Sequence, residues 1–338
     1  MRTLIFSVCA VLLASFSSCK SKDKAANATE VNNQEQAAVL SSDTVNFHFA
    51  TLDEAKKLVA AEDNFTKSWS EFDIVSRLND PKGTKEQLKE YEAKELREWT
   101  DEEKQTITNF MYKINQTIRD EKFQLPFPQQ ITLVKSTLKD EGSAAGYTRE
   151  NWIALYDQVG KIDEQHRQEL ILHELFHILT RHTIGFKRMA YSTIGFEVAE
   201  QELEYPAELQ QKRITNPDIA KFDSYATFNI NDEQKKCAMV LYHDRPYTEG
   251  RFFEYVKVGF VPYGEDFKAI RNAEGKVVVY DMKEVKDFFD KVGKNTGYII
   301  HPEEILAENF VIAFLNQDPI KTPELRERLR KVLKADKK

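Results

Sequence analysis

The chain has 338 residues, with 48 Lys and Arg against 55 Asp and Glu, a net charge of −7 at pH 7, and 41% hydrophobic and 11% aromatic residues. That content supports a sizeable packed core and argues against global disorder, and the length leaves room for two domains or one elaborated one. The acidic balance, without a long basic block, weighs against a nucleic-acid partner, and three Cys, one of them at position 9, give no disulfide framework.

Residues 1–18 carry a positive start at Arg2, an apolar core from Leu4 to Ala14 and the small pair Ser17-Ser18 directly before Cys19. This reads as an export signal, and its core is too short to span a membrane. It resembles a bacterial lipoprotein leader, although Phe16 stands where such leaders usually carry Leu. The resemblance implies cleavage before Cys19, a lipid on that residue, and anchoring to a membrane of the cell envelope, periplasmic or surface-exposed. Residues 19–45 are rich in Lys, Asn, Ala, Gln and Ser and read as a flexible tether. Residues 46–125 show helical periodicity over 52–61, 85–99 and 101–120, with Thr100 as a start signal before three acidic residues. This segment is expected to be a helical N-terminal subdomain without chemistry of its own.

Residues 126–200 are expected to form the functional core. Two strand-like runs, 130–135 and 152–156, precede His173-Glu174-Leu175-Phe176-His177. The surrounding apolar run predicts a helix with Asp163 as N-cap and Gly185 as its stop. On a helix, residues four apart sit about 40° from each other, so both imidazoles can converge on one metal ion. Zinc held by two His and one carboxylate keeps a position for water, and the Glu inside the motif is then the base that takes the water's proton.

Two His rarely hold a catalytic zinc alone, so a third ligand is required. His182, on a continuing helix, lies about 180° from His173 and about 140° from His177, which suits a surface position better. Glu200 and Glu204 follow His177 by 23 and 27 residues, but their segment lacks a clear apolar face and ends at Pro206. Glu304 and Glu308 share one stripe of an apolar run that starts at His301-Pro302, and Pro302 suits a first helical turn. Carboxylates on a buried helix cost several kcal/mol unless paired or bound to metal, which makes this pair informative.

The motif His173–His177, taken with Glu304-Ile305-Leu306-Ala307-Glu308, resembles the gluzincin group of zincin-type zinc metallopeptidases. The resemblance covers roughly 126–182 and 296–316. It implies an α+β fold with a zincin-like core of small sheet plus active-site helix, one Zn2+, and hydrolysis of a peptide or protein substrate. It assigns Glu304 as third ligand, Glu308 as the residue orienting His173 or His177, and Glu174 as general base. Tyr298, six residues before Glu304, takes the place where related enzymes often carry a donor for the tetrahedral oxyanion; His243 and His301 are weaker candidates. In that fold the strand nearest the helix is an edge that can pair with extended substrate, a role expected here for about 150–157.

Between His177 and Glu304 lie 126 residues, so 201–295 is expected to be an insertion, mostly β, with strand-like runs at 252–261 and 276–280, turns at Thr215-Asn216-Pro217-Asp218 and Asn272-Ala273-Glu274-Gly275, and a helix near 283–291. Residues 296–338 are expected to be C-terminal helices. Thr-Ile-Gly-Phe occurs at 183–186 and 193–196, too few and too close for a solenoid repeat. Cys237 is expected to be a buried thiol. Three other readings remain open at the level of sequence: a zincin-fold lipoprotein that binds a partner without turnover, a zinc hydrolase of non-peptide amides, and a structural lipoprotein with no metal.

Overall fold

Residues 44–335, the part of the chain that the computed structural model describes, build an α+β fold around two five-stranded sheets. The export signal, Cys19 and nearly all of the tether lie outside the described residues. The first sheet has the order β1 (Phe47–Phe49), β3 (Ile131–Ser136), β5 (Trp152–Tyr156), β4 (Gly146–Arg149), with β2 (Leu96–Arg97) also pairing β3. β1 and β5 run parallel to β3, and β4 runs antiparallel to β5. The segment expected to be helical therefore also supplies two strands. Its helices are α1 (Leu52–Ala60), α2 (Asn64–Lys67), α3 (Glu71–Leu78), α4 (Lys85–Glu95) and α5 (Asp101–Glu121). All five open on a reciprocal cap, as at Thr100 and Glu103, where each side chain bonds the other's backbone N–H.

The edge strand is β4, a correction to the expectation for 150–157. β5 is flanked on both sides, in register with β3 (Val134 opposite Ala154) and with β4 (Thr148 opposite Ile153). The two-residue turn Glu150-Asn151 makes this hairpin, with Glu150 in the left-handed region at φ 43°. Its first strand is hidden in the sequence because Thr148 and Arg149 are buried polar residues.

α6 (Glu164–His182) carries the His-Glu-x-x-His motif, and Asp163 caps it by accepting the His166 N–H. It ends at His182 and not at Gly185, which lies inside the next helix, α7 (Ile184–Ser192). The second sheet has the order β10 (Tyr280–Asp281), β9 (Val256–Pro262), β8 (Glu233–His243), β7 (Ser224–Ile230), β6 (Glu197–Val198), antiparallel throughout. Residues 276–280 are thus strand only at their end, and 252–255 form a 3₁₀ turn before β9. α8 (Ala207–Gln210) sits in this region, and α9 (Phe288–Val292) is shorter than the helix expected near 283–291. α10 (Pro302–Leu315) and α11 (Pro323–Lys334) close the fold. Cys237 is buried in β8.

One hydrophobic cluster runs from Val45 to Leu333 and joins both sheets to α5, α6, α7, α10 and α11. α10 is apolar nearly all round and buried nearly all round. Phe310 meets Phe176 of α6 with ring centroids 5.5 Å apart. Burying each such side chain contributes about 1.5–3 kcal/mol, and this contact fixes the register of α10 against α6. That register places the acidic first turn of α10 opposite the His residues of α6.

Candidate metal centre

His173 and His177 stand one turn apart on α6 and present their Nε2 atoms toward Glu304 of α10. His173 Nε2 is 3.1 Å from Glu304 Oε2, and His177 Nε2 is 3.7 Å from the same oxygen. One donor atom from each of the three side chains falls within 4.8 Å of the others. Each ring is held from behind by a carboxylate at Nδ1: Glu308 Oε1 at 3.1 Å from His173, and Glu303 Oε1 at 3.0 Å from His177. Glu308 thus partners His173, and the partner of His177 is Glu303, which sequence reasoning missed. Glu303 also accepts hydrogen bonds from the Thr180 and Tyr191 hydroxyls. A ring that donates Nδ1–H to a carboxylate keeps the Nε2 lone pair free, the arrangement in which His binds metal.

The donor chemistry fits a metal. His177 Nε2 is buried and has no hydrogen-bond partner among the described residues, an orphan that costs free energy unless something binds it. Glu174, Asp218, Glu303, Glu304 and Glu308 surround the two imidazoles; burial raises Glu174 and Asp218 above the ordinary carboxyl range, while the Glu303 and Glu304 carboxylates, held low, carry negative charge that a divalent cation offsets. Two imidazoles and a carboxylate are a zinc donor set.

The electrostatics carry the same mark. Burial pushes the Glu304 carboxyl up, but the His173 hydrogen bond and the charges of both imidazoles outweigh it and hold it at about 2. Burial pulls His177 down, yet the Asp218 charge, the Glu303 hydrogen bond and the Glu304 charge raise it to about 9. His173 is likewise raised, its bonds to Glu304 and Glu308 overcoming burial. Without a metal, protons on the imidazoles supply the positive charge that the surrounding carboxylates demand.

Glu174 is 2% exposed, and its Oε2 accepts the Thr148 hydroxyl at 2.8 Å. Burial raises its carboxyl above the ordinary value, with the charges of His177 and His173 opposing. Gly146 leaves the other oxygen free: a Cβ there would lie 2.8 Å from Glu174 Oε1. β4 alternates, so Gly146 and Thr148 face α6 while Tyr147 and Arg149 face away.

The turn expected at Thr215-Asn216-Pro217-Asp218 also reaches the centre. Asn216 Nδ2 donates to Glu304 Oε1 at 2.5 Å, and Asp218 Oδ1 accepts the Thr148 N–H at 2.6 Å. Asp218, Glu174 and His177 form a second group of closely spaced donor atoms. Arg77 and Arg181 pin the turn, donating to the carbonyls of Thr215 and of Pro217 and Asp218. In the sequence Asn216 and Asp218 read only as turn formers, since Asn-Pro-Asp satisfies that role by itself.

Tyr298 is 40% exposed, with its ring 6.4 Å from that of His173. Burial of its hydroxyl and the negative charge of Glu304, Asp218 and Glu174 raise its pKa, so it remains a donor. The remaining candidates stand elsewhere. Glu200 pairs with Arg188, Glu204 accepts the Ala269 N–H, and His182 faces the Glu150 carbonyl. His243 stacks on Phe72, and His301 caps α10 by accepting the Glu303 N–H.

Comparison with known proteins gives no match: no family model fits the chain, and no curated protein or solved structure is significantly similar to it.

Proposed function

We propose that this chain is a zinc metallopeptidase with a zincin-like core, holding one Zn2+ through His173, His177 and Glu304 and cleaving a peptide or protein substrate. The observation that carries this reading is the convergence of three donor atoms within 4.8 Å on a centre beside the buried carboxylate of Glu174. What zinc supplies in such a site is Lewis acidity, enough to bring the pKa of water to about 7.

The chain's own residues do the rest. Glu174 takes the proton of the attacking water at Oε1, the oxygen beside Gly146, while Thr148 holds Oε2. The same carboxyl then passes that proton to the leaving amine. Glu303 and Glu308 keep the imidazoles in the tautomer that leaves Nε2 unprotonated. The Tyr298 hydroxyl donates to the oxyanion that develops on the carbonyl.

Hydrolysis of a mixed peptide pool by the wild type and by Glu174→Gln tests this reading. The variant is expected to keep zinc and lose about 10²–10⁴-fold in rate. Full activity in a zinc-loaded variant would exclude Glu174 as the base.

The lipoprotein-type leader supports action at a membrane of the bacterial cell envelope, with anchoring through a lipid on Cys19. Among the described residues no helix is long and apolar enough to cross a membrane. Mass spectrometry of the mature N-terminus is expected to show an acylated Cys19, lost in Cys19→Ser; an unmodified wild-type N-terminus would refute the anchor.

A further inference from the structure

A groove of about 290 Å³ opens between the edge of the first sheet and the face of the second. Its walls are apolar: Ile214, Leu241 of β8, Val258 of β9, Phe253 and Ile300 all line it. It runs into the metal centre, because Gly146, Asn216 and Tyr298 also line it. Gly146 abuts Glu174, Asn216 bonds Glu304, and Tyr298 neighbours His173. A chain held over the centre therefore has one side-chain direction that leads into this groove.

The charges in its wall are already committed. Glu141 accepts both its bonds from Arg77, and Asp218 accepts the Thr148 N–H. No Lys, Arg or His is part of the lining. An acidic side chain entering here meets Glu141 and Asp218 and no Lys, Arg or His, and a polar one finds few partners, chiefly Thr215, Asn216 and Tyr298, for the hydration it loses. An apolar side chain only releases water.

The rim is built for such a guest. Phe253 is 49% exposed and lies against Phe252 with centroids 4.1 Å apart. Both rings rest on Gly142, at φ +66°, where a Cβ would come within 2.6 Å of Phe252 and 2.9 Å of Phe253. Only glycine permits that close approach. The volume lies just under the usual range of ligand sites, about 300–1,000 Å³, and suits one large side chain.

We infer that the groove receives a large apolar side chain, aromatic or branched aliphatic, of a substrate residue flanking the cleaved bond. It makes the enzyme selective for peptides with such a residue there. This rests on the metallopeptidase reading. The walls come from the long segment between the two metal-binding motifs, so that segment sets specificity.

Fluorogenic peptides randomised at each residue flanking the bond test the inference on the zinc-loaded wild type and on Phe253→Lys, a surface substitution. The wild type is expected to prefer Phe or Leu over Asp or Glu by at least about 10-fold in kcat/KM at one position. Phe253→Lys is expected to shrink that ratio at least severalfold with zinc content unchanged. Fluorescence anisotropy of Phe- and Asp-containing peptides on Glu174→Gln gives a readout independent of turnover, in which the Phe peptide is expected to bind more tightly. Hydrolysis indifferent to the flanking residues, or a preference that Phe253→Lys leaves intact, overturns the inference and leaves the peptidase standing. Absence of zinc and of all hydrolysis overturns the peptidase reading; equal anisotropy for the two peptides then removes the groove as well.

Discussion

The two faces of β4 look onto two clusters of buried charge built on opposite plans. On one face Arg149 donates to Asp63 at 2.7 Å and approaches Glu92 at 3.5 Å. Nearby, Arg77 meets Asp73 and Glu141, each at 2.7 Å, and donates to the Thr215 carbonyl. There the cations are part of the fold and each has its carboxylates. On the other face carboxylates outnumber the imidazoles, and each imidazole is braced at Nδ1 while Nε2 points to a shared space. Around Arg77 the network is closed and holds elements together, whereas Arg149 Nη1 and Glu92 Oε2 lack hydrogen-bond partners; the imidazole cluster is open in another sense, its donors aimed at the one point where the proposed metal would sit.

Breaking the closed network should cost the most stability. Arg77→Met leaves Asp73 and Glu141 buried without their cation, and is expected to lower unfolding free energy by about 3–5 kcal/mol. Urea unfolding measures it, and a loss below about 1 kcal/mol would place this network outside the core's support. Zinc content per folded chain should stay unchanged.

Substitutions in the open cluster should act on the metal. Glu303→Gln removes the carboxylate behind His177 and should weaken zinc binding by about 10–100-fold, read by competition with a chelating dye. Glu308→Gln should fall at the low end of that range, because the Glu308 side chain is 41% exposed and water can replace it at His173. Equal or reversed effects would contradict the reading that burial makes Glu303 the stronger brace.

The smallest effect expected is on pH. In the metal-free protein His177 titrates at about 9, above its ordinary 6.5. Its contribution to stability is therefore full below 6.5 and is lost as pH rises through about 9. Thermal midpoints of the metal-free protein should fall across that window. In the proposed centre zinc takes the place of the protons, so its affinity should rise over the same range, with proton release visible by calorimetry in buffers of different ionisation enthalpy. A metal-free midpoint that rises with pH across this window would contradict the scheme.

Much of this centre was legible in the sequence, for a geometric reason. His173 with His177, and Glu304 with Glu308, are pairs one helical turn apart, and a periodicity of 3.6 carries such pairs to one face without knowledge of the tertiary fold. Glu303 was not legible, because a carboxylate in a helix's first turn is adequately explained by the helix dipole. Tyr191 and Thr180, which bond it, look like ordinary helix residues until α7 and α10 are packed against α6. The edge strand was misplaced by one hairpin arm, since Thr148 and Arg149 are buried by long-range partners, Glu174 and Asp63, that no local pattern announces. The presence of both helices and strands followed from periodicity, and the α+β class from the resemblance, whereas the joining of β1 and β2 to the first sheet depended on pairings across the chain.

Elemental analysis of the purified mature chain beside its Glu304→Ala variant is the most direct test of the metal centre. About one zinc per chain is expected in the wild type, sharply reduced in the variant while circular dichroism shows the fold retained. No zinc in either protein after zinc is supplied, or equal zinc in both, would contradict a centre built from His173, His177 and Glu304.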